Sequence, residues 1–238
     1  ADTDLYYPQV AGCDHVILVV GSGTNVDQCA YCHRVPRDRL YSCWAESMNI
    51  WFTSDYHLGH KRILSLTDRP FDTVDEMNES IIDNHNSVVK SGDTVYMLGD
   101  IVMGGWQQNI PLIGRMNGRK ILVAGNHDQP FIHRDKSSFE RIMKGYGEHF
   151  DEIHLDHCRF GRFVLSHFPY DADHTDDPRY MQYRPVDKGY TLIHGHLHLE
   201  SDKPQVTYSS KGTRQIHVGI DGWALPVSLD TIHELNKE

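Results

Sequence analysis

The stretch Arg119-Lys120-Ile121-Leu122-Val123-Ala124-Gly125-Asn126-His127-Asp128 decides how the rest of the chain is read. Its first half, after a basic start, is an apolar run of strand length, and its second half is a glycine followed by three polar residues able to bind metal or protons. The pattern places chemistry at the C-terminal end of a strand, the edge where open α/β sheets collect their ligand-binding loops. Alone, the stretch could be no more than an Asn-His-Asp turn closing a strand. Its neighbours decide between the two.

Working outward, the same design recurs. Ile50-Trp51-Phe52-Thr53 is an apolar, β-prone run that ends at Ser54-Asp55-Tyr56-His57. Asp55 and His57 stand two apart, so in extended backbone they point to one side and can share an ion. Thr94-Val95-Tyr96-Met97-Leu98 ends in Gly99-Asp100. Helices are expected at residues 60–66, at 74–89 with acids early in the segment, and at 107–115. Strands alternating with helices predict a layered α/β fold.

In the second half, a helix is expected over 137–144. Alternating runs at 149–155 and 159–166 suggest a hairpin or meander that ends at Ser166-His167-Phe168-Pro169. Residues 171–188 read as a long loop of net charge −2 beside the site, with Tyr170, Tyr180 and Tyr183 as candidates to stack on a base. Thr191-Leu192-Ile193 leads into His194-Gly195-His196-Leu197-His198. The 215–220 strand, Asp221-Gly222-Trp223 and a helix over 228–235 read as scaffold, and Cys158 as a small buried residue.

Composition bounds the rest. The chain has 238 residues, 39% of them hydrophobic, enough for one sizeable core plus an appendage. Lys and Arg number 23 against 33 Asp and Glu, a net charge of −10, which makes extended nucleic acid a poor default partner. No apolar run reaches membrane-spanning length, and Ala1-Asp2-Thr3-Asp4 lacks the start of a secretory signal, so a soluble, cytoplasmic protein is expected. Seventeen histidines make metal chemistry the first expectation.

Residues 1–46 differ from residues 47–238 and are read as a separate module. Cys13-x-His15 and Cys29-x2-Cys32 supply two ligand pairs that can close a tetrahedron around a structural zinc. Disulfides are the rival reading, disfavoured in a cytosolic chain.

Asp55-x-His57, Gly99-Asp100, Gly125-Asn126-His127-Asp128, His167 and Gly195-His196-x-His198, in that order over roughly residues 50–220, together resemble the signature of the calcineurin-like metallophosphoesterase superfamily. The segments Arg69-Pro70-Phe71 and Gly219-Ile220-Asp221 resemble its compact bacterial and phage members. The resemblance implies a four-layer αββα sandwich holding two divalent ions. Asp55, His57 and His198 would hold the first, Asn126, His167 and His196 the second, and Asp100 would bridge both. Ions about 3.5–4 Å apart can ionise a shared water to the attacking hydroxide and clamp the phosphoryl oxygens. Asp100, Asn126 and His127 would carry catalysis, His127 as general acid rather than ligand.

Small phosphodiesters are the implied substrates, 2′,3′-cyclic nucleotides among the candidates. A nuclease and a catalytically weak metal-bound scaffold are the alternatives. Mn, Fe, Zn and Ni all suit the ligand set, and the oligomeric state stays open, a homo-oligomer included. Two departures from the family pattern stand out. Met103 occupies the position where members often carry a second acid that orients the histidine, leaving Asp128 as the nearest candidate partner for His127. The protein-phosphatase continuation Asp-Arg-Gly is absent after Asp100.

Overall fold

The structure, a computed structural model, describes residues 49–171 and 179–237. The expected zinc module with Cys13, His15, Cys29 and Cys32, and residues 172–178 of the long loop, lie outside them.

The three apolar runs form the parallel strands β1 (Ile50–Thr53), β2 (Thr94–Met97) and β3 (Arg119–Val123). With β4 (Glu152–His154) they make one sheet, in which β10 (Val227–Ser228) pairs antiparallel with β1. Because side chains alternate along a strand, each strand feeds two cores. Val95, Met97 and Leu122 face a core built with helices, while Phe52, Leu98 and Val123 face a second sheet. The registers Thr53↔Met97 and Met97↔Leu122 bring the three C-terminal tips level. Hence Asp55, Asp100 and Asn126 leave the sheet side by side.

The helical core rests on α1 (Val74–Val88) and α2 (Phe139–Gly147). Thr73 caps α1 by accepting the Glu76 N–H at 3.1 Å, and Asp75 and Glu76 favour the positive end of the helix dipole. Met77, Ile81, Ile82 and His85 form its buried stripe. The helix expected over 107–115 is instead a single α-turn, Trp106–Asn109, followed by a 3-10 segment, Ile110–Arg115. Pro111 explains the break, since it has no N–H for the α-helical ladder.

The second sheet runs β5-β6-β7-β9-β8, comprising β5 (Cys158–Phe160), β6 (Phe163–Leu165), β7 (Leu192–His194), β8 (Val206–Tyr208) and β9 (Arg214–His217). β6, β7 and β9 are parallel, so His167 and the His194–His198 segment follow neighbouring tips. The hairpin expected between 149–155 and 159–166 does not form as one unit. β4 completes the first sheet, the chain crosses over, and β5 and β6 form the hairpin in the second. Cys158 lies half-buried on β5, where burial pushes its thiol up to about 12.

Phe163, Leu165, Ile193 and Ile216 meet the first sheet's inner face, making a mixed α/β fold of two packed sheets. On the other side, Val164, Tyr170 and Leu192 form a small group with no helical residue among them. α3 (Leu229–Leu235), capped by Ser228, packs Ile232 into the inter-sheet core.

Candidate metal centre

Backbone hydrogen bonds knit the strand tips together. The amides of Asp55 and His57 donate to Gly99 O at 3.0 Å and Asp100 O at 2.9 Å, and Gly195 N donates to His167 O at 3.1 Å. The approach is close enough to demand glycine. A Cβ on Gly125 would stand 2.3 Å from Asp100 Oδ1, and one on Gly99 would stand 2.6 Å from Gly125 Cα. Among the described residues eight non-glycine residues have positive φ, and five of them are Asp55, His57, Asp100, His196 and His198. Such conformations cost free energy and persist where surrounding structure imposes them, so their concentration here marks the tips as a functional site.

Two side-chain groups result: Asp55, His57 and His198, and Asp100, His167 and His196, the potential ligand atoms of each lying within 4.8 Å of one another. Asn126 joins the second, its Oδ1 3.1 Å from His167 Nε2. Asp100 links them, with Oδ2 3.7 Å from His57 Nε2 and 3.4 Å from His167 Nε2. All seven residues expected to hold metal therefore come together.

The residues fit divalent cations on three observations. His167 Nδ1 donates to Leu98 O at 2.8 Å, which leaves Nε2 as the nitrogen aimed at Asn126 Oδ1 and Asp100 Oδ2 and open to exchange its proton for an ion. His198 Nδ1 is 2.7 Å from Asp221 Oδ2, so its Nε2 faces Asp55 Oδ1 at 3.8 Å. His57 Nε2 is a buried ring nitrogen with no hydrogen-bond partner, of the kind a metal ion satisfies. Electrostatics agree. Burial opposes ionisation of Asp100, but His167, His57 and His127 hold its carboxyl far below the usual range. Burial also pulls His57 well below its ordinary value, keeping the imidazole neutral. For His167 burial acts downward, yet Asp100 outweighs it and lifts the ring to about 9, so an ion bound at Nε2 would displace a proton held there by the carboxylate.

Asp221, read from sequence as scaffold, belongs to the site. It orients His198 and pairs with Arg69, whose Nε is 2.8 Å from Asp221 Oδ1 and whose other nitrogens donate to Tyr56 O and Asp55 O. The only signal lay in the family-like segments around residues 69 and 221. His60 was also missed. One turn beyond His57, it places Nδ1 3.3 Å from His57 Nδ1.

Asp128 does not orient His127. Both its oxygens accept peptide N–H groups, from Asp100 and Gly125 on Oδ2 and from Ile101 and Val102 on Oδ1. Burial, then the Asp100 charge, push its carboxyl up to about 7, and those N–H groups pull the other way. Asp128 thus clamps two site loops together. The His127 ring is 3.9 Å from Asp100 Oδ2 and 40% exposed, the most open imidazole beside that carboxylate. Tyr170 is likewise removed from the site. It is buried on the second sheet and its hydroxyl donates to Tyr190 O.

The Arg69–Asp221 pair is buried, each side chain 4% exposed. Arg69→Ala strands the carboxylate, and the expected loss of stability is about 3–5 kcal/mol. Urea denaturation reads it directly. A loss under about 1 kcal/mol, the range of exposed pairs, would mean that water replaces the guanidinium.

Two five-stranded sheets carry paired Asp/His groups at their tips. A sequence model of the calcineurin-like phosphoesterase family matches residues 48–223, and the chain belongs to that family. It is 38% identical to the gene 66 protein of Mycobacterium phage L5, over 79% of this chain and 93% of the phage protein. It is 29% identical to an uncharacterized protein of Methanocaldococcus jannaschii, over 78% and 90% of the two chains. Among solved structures, a protein of unknown function from Aquifex aeolicus superposes with a TM-score of 0.55 at 27% identity, over 79% of this chain and 98% of that one. No helix among the described residues is long and apolar enough to cross a membrane.

Proposed function

We propose that the chain is a dinuclear-metal phosphodiesterase acting on small phosphodiesters. The observation that carries this reading is the Asp100 carboxylate standing between two ligand groups, 3.7 Å from His57 Nε2 and 3.4 Å from His167 Nε2. Asp55, His57 and His198 would hold one ion, Asn126, His167 and His196 the other, and Asp100 both. Two divalent ions supply a water of lowered pKa and positive charge against the phosphoryl oxygens. Mn, Fe, Zn and Ni all suit these donors.

The chain's own groups supply the rest. Asp221 and Leu98 O orient His198 and His167, so that each would turn Nε2 toward an ion. Arg69 holds the Asp55 loop by its carbonyls. His127, exposed beside Asp100 and outside both ligand groups, hands a proton to the leaving oxygen.

A monoanionic diester suits the site better than a dianionic monoester, because the nearby guanidinium of Arg69 is already engaged with Asp221. The net charge of −10 further disfavours long polyanions, whose repulsion adds phosphate by phosphate. With added manganese, bis-p-nitrophenyl phosphate is expected to be turned over at least about tenfold faster than p-nitrophenyl phosphate, a difference of about 1.4 kcal/mol in barrier. Equal rates, or preference for the monoester, would defeat the diesterase reading.

A further inference from the structure

A cavity of about 540 Å³ opens beside Asn126, walled by Phe131, Ile132, Arg179, Tyr180, Gln182 and Tyr183. That volume lies within the about 300–1,000 Å³ range of small-molecule sites. Three of its seven lining residues are aromatic, and two of these rings are held in place. Phe131 meets Tyr183 edge-on, with ring centroids 4.7 Å apart, and the Arg134 guanidinium lies over both rings at 4.5 and 4.7 Å. Arg134 is itself held by Leu155 O at 2.7 Å and Asp156 at 3.0 Å. Tyr180 stacks on Phe168 at 5.3 Å, and Phe168 lies against the rings of His167 at 4.9 Å and His196 at 5.0 Å. The aromatic wall is therefore continuous with the second ligand group.

The rim is apolar in part, beside the polar Arg179 and Gln182. Ile132 is 41% exposed and Met181, next to Tyr180, is 47% exposed. Exposed apolar side chains grouped around a concave aromatic surface mark a ligand site rather than a core. Gln182 adds a carboxamide, donor and acceptor together, suited to the edge of a heterocycle. Asn126 belongs to both places, lining the cavity and reaching His167 Nε2 with its Oδ1. One ligand can thus have its phosphate at the metal centre and a planar ring in the cavity.

We propose that this cavity is a nucleobase subsite, which makes the substrates nucleoside phosphodiesters. The base lies against Tyr180 and Ile132, with its polar edge toward Gln182. The assignment rests on the phosphodiesterase reading above and adds the part of the substrate remote from the reacting phosphorus. Base-on-aromatic stacking of ordinary strength gives the nucleoside an advantage of about 10- to 100-fold in kcat/KM.

The test uses the full chain with manganese and two diesters sharing one leaving group, thymidine 5′-p-nitrophenyl phosphate and methyl p-nitrophenyl phosphate. The thymidine ester is expected to show kcat/KM about 10- to 100-fold higher. Ile132→Asn and Gln182→Ala, both uncharged changes at exposed side chains, should shrink that ratio toward one, chiefly through KM of the thymidine ester, without altering metal content. A ratio near one in the native protein, or one unchanged in both variants, overturns the subsite. If neither ester is hydrolysed, the phosphodiesterase reading fails, and calorimetry with thymidine 5′-monophosphate decides the subsite separately. Binding weakened at least about tenfold by Ile132→Asn, roughly 1.4 kcal/mol, sustains it, and absence of binding, or binding equal in the variant, overturns it.

Discussion

Asp100→Ala is expected to abolish turnover and to lower the metal content by at least one ion per chain. The carboxylate stands between the two ligand groups, so its removal takes a donor from each at once. Losing one preorganised electrostatic stabiliser costs about 10²–10³ in rate. A change that also weakens metal retention should exceed about 10³-fold. The fold should survive, because the Asp100 amide still donates to Asp128 Oδ2 and its carbonyl still accepts from His57 N. Elemental analysis of the purified variant alongside its circular dichroism separates these possibilities. Retention of both ions would show that Asp100 does not bridge.

The parts of the molecule that were legible in its sequence are those whose chemistry is local. β1, β2 and β3 are buried on both faces and so read as short apolar runs, and the ligand candidates follow within a few residues of their ends. α1 was legible because burial on one side leaves a helical stripe. β8 and β10, three and two residues long, are too short to carry a period. The crossover between β4 and β5 was hidden because an alternating strand looks the same in either sheet.

What remained unread in the site depends on contacts between distant segments. The Arg69–Asp221–His198 chain joins residues up to 152 positions apart, and nothing in the local pattern around Asp221 announces a histidine partner. Asp128 misled for the converse reason. Adjacent to His127 in sequence, it points at the amides of Gly125 and residues 100–102, because clamping the β2 and β3 tips satisfies four buried N–H groups. With Met103 at the position of the family's orienting acid, the carboxylate oxygen within ion-pair reach of the His127 ring among the described residues is that of the linking residue itself, Asp100 Oδ2 at 3.9 Å.

That arrangement makes His127→Ala the complement of Asp100→Ala. The link from residue 127 to the ligand groups runs through its backbone, whose N–H donates to Asp100 Oδ1 at 2.8 Å and survives any side-chain change. The ring is 40% exposed, so its removal opens no buried cavity, and the stability change should stay within about 0.5 kcal/mol. Both metal ions should therefore be retained while turnover falls. For diesters with a poor leaving group, such as an alkoxide or a ribose hydroxyl, the loss should be about 10²–10⁴-fold, the usual contribution of a general acid. For a nitrophenolate, stable as an anion without a proton, the loss should be at least about tenfold smaller. Two outcomes contradict the assignment in different ways. An equal loss for both kinds of leaving group would mean that His127 stabilises charge on the phosphoryl oxygens, whereas loss of an ion would make it a ligand despite its exposure.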